Sequence, residues 1–297
     1  MASLRAALGN ALLAPVLVFA WLVAQIPLRF TTPIGEQLGR LLMRVLKSRQ
    51  KIARTNLQLC FPELTAVERD DLLQRNARSM GLSVLEFTQA WWGRRSVLPP
   101  ITSLVGLEHL TKAQAQGRGV LLVSGHFHTL ELCGRLLTQQ VQVAGMYRPH
   151  DQALLEWAVE KGRARYASHM FTREQLKASI KHLKNGGILW YAPDQDYRRG
   201  DHVFAPFFGI QAATLKATHQ FARLANACVI AFAHRRDGAG YALELSAPLQ
   251  DFPSHDPVAD SARINALIET MVRQAPAEYL WVHQRFKTRP AGESSLY

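Results

Sequence analysis

The chain has 297 residues, 48% of them hydrophobic and 20% charged, enough to bury a large core and too apolar for a disordered protein. With 35 Lys and Arg against 23 Asp and Glu, the net charge of +12 calls for anionic partners: nucleic acid, anionic lipid, a phosphorylated substrate or an acidic carrier protein. Cys60, Cys133 and Cys228 are odd in number, far apart and without metal-ligand spacing. They read as free thiols in a reducing compartment, against a disulfide framework or a zinc site.

In chain order, the first element is an apolar segment. No charged residue lies between Arg5 and Arg29, and Leu8 to Leu28 is apolar apart from Asn10 and Gln25. As one helix it would span about 30 Å, roughly one hydrocarbon core. No small-residue cleavage site follows, so a retained anchor is expected over residues 1–30, either spanning the bilayer or lying partly in its interface. Arg29, Arg40, Arg44, Lys47, Arg49, Lys51 and Arg54 follow against Glu36 alone, which by the positive-inside rule places the rest on the cytoplasmic side.

Residues 31–95 form a basic, helical, membrane-proximal region. Leu38, Leu41, Leu42, Val45 and Leu46 recur at helical spacing among the cations, the pattern of an interfacial helix on anionic lipid. An ordinary amphipathic helix with a solvated charged face is the plainer alternative. A second helical region runs from Thr65 to Gly93 and carries Trp91 and Trp92, suited to a core or to a membrane interface.

From residue 96 to 297 strands and helices alternate. Strands are expected at 120–124, 143–147, 188–192, 229–233 and 241–246, with helices at 152–166 and 172–185. The pattern predicts an α/β domain with a largely parallel central sheet flanked by helices. Sites in such sheets lie beyond the strands' carboxyl ends. His126, Arg148, the Asp194-Gln195-Asp196 turn and His234-Arg235-Arg236 all fall at or near such ends.

The segment GVLLVSGHFHTLELCGRLL, residues 119–137, delivers His126 into a turn and opens a helix near Glu131. If His126 leaves the strand end and Glu131 sits in the first helical turn, the carboxylate can reach one ring nitrogen. The other is left to take a proton from a hydroxyl attacking an activated acyl group. Against this stands a turn histidine beside an acid favoured by the helix dipole. Oxyanion donors are expected from the backbone amides near Phe127 and His128. Arg148, held extended before Pro149, suits bidentate contact with a phosphate or carboxylate. Asp194 and Asp196 read as turn residues, as binders of a sugar hydroxyl or as partners of Arg148; no second cluster of hard ligands accompanies them, so no metal is expected. VFAPFFG, residues 203–209, reads as a core strand and turn or as the lining of an acyl channel. WVHQRFKTRP, residues 281–290, carries Arg285, Lys287 and Arg289, ordinarily solvated charge. Cys133 reads as packing.

HFHTLEL, YRP, WYAPDQDY, VFAPFFG and EYLWVHQRFKTRP, in this order behind the apolar segment and NLQLCFPEL, resemble the late acyltransferases of lipid A biosynthesis, and within them the lauroyltransferase group. The resemblance runs from about residue 10 to Tyr297. It implies a glycerolipid acyltransferase-like α/β fold and transfer of a laurate-like chain from acyl-acyl carrier protein to a hydroxyacyl chain of the lipid A precursor. The reaction is implied at the cytoplasmic face of the inner membrane, among its phospholipids, with no cofactor beyond the acyl donor. It maps the family's H-x4-D/E motif onto His126 and Glu131 as base and orienter, and a substrate-positioning arginine onto Arg148. Arg285 is expected to help Arg148 hold a lipid A phosphate or sugar acid. His150 and the basic Arg198-Arg199 loop depart from the family's usual pattern and bear on acceptor contacts. Two other classes fit less of the sequence. One is an acyltransferase using acyl-CoA or acting on another glycolipid or lysophospholipid. The other is a non-enzymatic basic membrane protein; no nucleic-acid recognition module appears, so no nucleic-acid partner is expected.

Overall fold

The computed structural model describes residues 2–196 and 201–297, with side chains from residue 13 onward; the Arg198-Arg199 loop lies outside the described residues. Four helices come first: α1 (Ala2–Val23), α2 (Leu28–Val45), α3 (Lys47–Cys60) and α4 (Ala66–Trp92). The alternating part follows as β1 (Ile101–Val105), α5 (Leu107–Ala115), β2 (Val120–Val123), α6 (Leu130–Leu137), β3 (Ala144–Tyr147), α7 (Ala153–Arg163), β4 (Met170–Thr172), α8 (Leu176–Lys184) and β5 (Ile188–Tyr191). It closes with β6 (His202–Phe207), β7 (Ile210–Leu215), α9 (Ala217–Ala225), β8 (Cys228–Asp237), β9 (Gly240–Leu245) and α10 (Pro257–Gln274).

The sheet order is β1-β9-β8-β2-β5-β3-β4, parallel at every pairing except the β8–β9 hairpin; β6 and β7 form a separate antiparallel pair. This is the mixed α/β, mostly parallel sheet expected from the alternation. Strand β2 lies at its centre, and its four residues, Val-Leu-Leu-Val, are all buried, as an apolar strand covered on both faces must be. One face packs Leu121 and Val123 with Phe171, Leu189 and Val229, and the same cluster takes in Met43, Ala53, Leu57, Leu72 and Leu73 from α2, α3 and α4. The opposite face packs Val120 and Leu122 with Leu132, Leu136, Ile188, Ile230 and Phe232.

Among the described residues no helix is long and apolar enough to cross a membrane, so the structure does not show the spanning form of the expected anchor. The apolar run from Leu8 to Leu28 is not one rod: α1 ends at Val23, and Pro27 caps α2. Its polar members fix the break. The Gln25 side chain donates to the Trp92 carbonyl (3.1 Å), and Gln89 of α4 donates to the Ile26 carbonyl (2.6 Å). Helix α2 then lies directly on α4. A Cβ at Gly39 would stand 1.9 Å from the Ala77 oxygen and one at Gly81 2.0 Å from the Gly35 oxygen, so glycines permit a contact no larger residue would. Phe30, Ile34, Leu41 and Val45 of α2 remain exposed, as do Phe19, Trp21 and Leu22 of α1.

Helix α4 starts where its sequence says it should. Thr65 accepts from the Glu68 amide while Glu68 caps the Thr65 amide, a reciprocal capping box. Six elements escape the alternation read from sequence: β1, β4, β7, α5, α9 and α10. The first three are short or lie on sheet edges, where the period-2 signal has few residues to show itself.

Candidate active site

Strands β2 and β5 are adjacent, parallel and in register from Val120↔Ile188 to Val123↔Tyr191. The chain leaves both at the same edge, and His126 and Asp194 come off equivalent positions beyond that last pair. The Asp194 carboxylate receives the His126 backbone amide (2.8 Å) and the ring Nδ1–H (2.5 Å). Asp194 is almost wholly buried, whereas a third of the His126 side chain is open. Burial by itself would raise the Asp194 pKa, but the charge of His126 and its two hydrogen bonds hold the carboxyl far below the usual range. Ionised Asp194 is acceptor-only, which fixes the proton on Nδ1. Nε2 has no hydrogen-bond partner among the described residues. Burial would lower the His126 pKa; the Asp194 charge and hydrogen bond outweigh it and set the ring above its ordinary value.

Glu131 is not the partner of His126, which corrects the pairing expected from sequence. In the first turn of α6 it is 4% exposed and receives four hydrogen bonds: from Arg163 Nε (2.7 Å) and Nη2 (2.6 Å), the Tyr166 hydroxyl (2.5 Å) and the Trp91 indole (2.8 Å). Burial would raise its pKa, but Arg163 above all keeps it ionised. Its carboxylate thereby ties α6 to α4 and α7. The reason is topological: a residue in the helix after β2 faces the helices covering the sheet, while the residue at the end of the neighbouring strand faces His126.

The backbone donors expected near the helix start are also engaged. The Phe127 amide donates to the Gly125 carbonyl (3.0 Å) and the His128 amide to the Glu278 carbonyl (2.7 Å).

The other predicted residues separate. Arg148, on the loop after β3, is about two-thirds exposed and lies 3.9 Å from Asp151, so its guanidinium faces solvent rather than Asp194. Asp196 accepts from the Thr288 amide (2.7 Å) and hydroxyl (2.9 Å), and its own amide donates to His283 Nε2 (3.0 Å). It fastens the C-terminal segment. Arg285 is 3% exposed and donates to the Ala213 carbonyl (2.6 Å) and the Thr214 hydroxyl (2.9 Å). The guanidinium is so enclosed that it serves β7, and of the three cations in the run at 281–290 Lys287 alone is exposed to solvent. The Arg285 Nε is buried and has no partner among the described residues.

His126 and Asp194 open onto a cavity of about 10 Å³ that is also lined by Asn56, Phe207, Tyr279, His283 and Arg285. That volume holds about one water-sized group. Phe207, from VFAPFFG, is both core and wall. Sequence reasoning passed over Asn56, Tyr279 and His283 as site residues. They lie in the NLQLCFPEL and EYLWVHQRFKTRP segments, far from His126 in sequence, with no local signal of proximity. Arg163 was likewise missed, although an arginine on the helix after Arg148 was there to be weighed against Glu131. Cys133 is fully buried in apolar packing, and burial first of all pushes its thiol well up, away from a nucleophile's thiolate.

Residues 5–288 match the family model for bacterial lipid A biosynthesis acyltransferases. The chain is 41% identical over 280 residues to the lipid A biosynthesis lauroyltransferase of Escherichia coli K12, covering 93% of this chain and 92% of the relative. To that organism's lipid A biosynthesis palmitoleoyltransferase it is 39% identical, over 93% of this chain and 91% of the relative. To its lipid A biosynthesis myristoyltransferase the identity is 26%, over 93% and 86%. With a family model spanning nearly the whole sequence and relatives matched almost end to end, this chain belongs to the bacterial lipid A biosynthesis acyltransferase family.

Proposed function

We propose that the protein transfers a laurate-like acyl chain from acyl-acyl carrier protein to the hydroxyl of a hydroxyacyl chain on the lipid A precursor, at the cytoplasmic face of the inner membrane. The observation that carries this reading is the His126–Asp194 pair: an imidazole with Nδ1 locked to a buried carboxylate at 2.5 Å and Nε2 free. In the reaction, Nε2 takes the acceptor hydroxyl's proton as its oxygen attacks the thioester carbonyl. The C–O bond forms, the C–S bond breaks, and the departing thiolate takes the proton from the imidazolium. Asp194 keeps the ring in the required tautomer and offsets the transient positive charge, the orienting role proposed from sequence for Glu131. Glu131 serves instead as a positioning residue that fixes α6 behind the histidine turn.

The developing oxyanion falls to Arg285. Its charge is buried beside the same cavity, its Nε–H has no partner among the described residues, and the cavity suits a single atom. Arg148, exposed at the same sheet edge, is the cation open to an acceptor phosphate. The exposed apolar face of α1 and α2, bordered by Arg29, Arg40 and Arg44, suits a monotopic seat in an anionic bilayer. The surplus positive charge suits docking of an acidic carrier.

The test is transfer in anionic vesicles, with labelled acyl-acyl carrier protein or acyl-CoA offered alongside lipid A precursor, lysophospholipid and another glycolipid, and products read by mass spectrometry. The expected product is the lipid A precursor one acyl chain heavier, formed from the carrier-protein donor. Transfer to lysophospholipid alone, or from acyl-CoA alone, would overturn the reading.

A further inference from the structure

The segment from Pro276 to His283 crosses the mouth of the site without joining the sheet; it is a 3-10 turn, a single bridge at Tyr279 and a tight turn. A half-buried, irregular backbone has no ladder to satisfy its carbonyls, so other donors must supply that need. Two asparagines do so. Asn76 Nδ2, on α4, donates to the carbonyls of Ala277 (2.9 Å) and Tyr279 (2.8 Å), and Asn56 Nδ2, on α3, to those of Trp281 (2.7 Å) and His283 (2.8 Å). A primary amide has two N–H groups. Two amides therefore cap four carbonyls, at every second residue of the segment.

The other edge of the segment belongs to the site. The Leu280 amide donates to the His126 carbonyl (3.0 Å), and the Glu278 carbonyl accepts from the His128 amide (2.7 Å). Side chains add to this: Tyr279 lines the same cavity as Asp194, and His283 accepts from the Asp196 amide. The histidine loop and the turn that carries its aspartate are thus both held by a segment that is itself held by two side chains. Asn56 and Asn76 are buried, at 1% and 0% exposure, and the Tyr297 hydroxyl donates to Asn56 Oδ1, which turns Nδ2 toward the segment.

We propose that Asn56 and Asn76 are positioning residues that stand in for a missing neighbouring strand and, through the segment 277–283, set the His126–Asp194 contact. This rests on His126 as the base, and it adds that the precision of that base is set from helices α3 and α4, remote in sequence.

The test follows the His126 ring by carbon-labelled histidine NMR across pH in the full-length protein, beside kcat and KM, in Asn76→Ala, Asn56→Ala and Tyr297→Phe. In both asparagine variants the His126 titration should move down from its raised position. kcat should fall by up to about 10²-fold, as misplacement of a reacting group does, with KM little changed. Tyr297→Phe, at the half-buried last residue, should move both in the same direction by less. It carries the test alone if the asparagine variants do not fold. Folded variants with an unmoved His126 titration would overturn the inference, whatever their turnover. A moved titration with unchanged turnover would instead count against His126 as the base.

Discussion

His126 and Asp194 each stand three residues beyond a registered pair, Val123 and Tyr191, on adjacent parallel strands. Their meeting is a consequence of register. Two loops leaving one sheet edge in step bring one residue's ring and amide onto the other's carboxylate, and a shift of β5 by one residue would turn the strand's buried set to the other face.

Removing the ring should remove the base and leave the fold. His126→Ala should lower kcat by about 10² to 10⁴-fold, the usual contribution of a general base, while vesicle binding is retained. Steady-state kinetics of the purified variant against unchanged thermal unfolding would check this; near-normal turnover would remove His126 from the mechanism.

Asp194→Asn separates orientation from proton affinity. Burial pulls the His126 pKa down and Asp194 pushes it up, so without the charge the ring becomes harder to protonate. A base acts when neutral, so wild-type activity should fall as pH drops through the raised His126 pKa. In the variant this acid limb should lie at lower pH, with a reduced plateau from the wrong tautomer. For stability the signs oppose. The depressed Asp194 pKa gives stability present above its unfolded value and lost as pH falls through the folded one. The raised His126 pKa gives stability present below its unfolded value and lost as pH rises through the folded one. Paired pH–rate profiles and urea melts at several pH values would read both.

Glu131→Ala should act on stability. It leaves Arg163, whose side chain is 17% exposed, without its carboxylate, a loss of about 3–5 kcal/mol for breaking a buried pair. Denaturant unfolding should show this, and turnover should follow the folded fraction. A fully stable but inactive Glu131→Ala would return the residue to the chemistry.

Phe30→Glu and Ile34→Glu should weaken membrane seating without touching the site. Each exposed apolar side chain contributes on the order of 1.5–3 kcal/mol when buried, so co-sedimentation with anionic vesicles should fall by about tenfold or more per substitution. Unchanged binding would assign this face another use.

Local pattern in the sequence determined a good deal. The buried run of β2, the capping box of α4, the α/β alternation and the histidine at the end of a central strand are short-range signals, carried by neighbours a few residues apart. Three of the residues that build the site, His126, Asp194 and Arg285, were also visible as types, and family membership was legible in the motifs. Tertiary structure alone decided who touches whom. Asp194 displaced Glu131 as the partner of His126 because strand adjacency is a long-range property with no trace in spacing along the chain. Gln25 and Gln89 broke an apolar run that hydropathy reads as one rod, because the bond that stops it comes from another helix. Arg285 looked like surface charge beside Lys287 and Arg289, yet burial against β7 and α10 turned it inward. In each case the deciding partner lies more than 15 residues away, and only the folded chain brings it within hydrogen-bond distance.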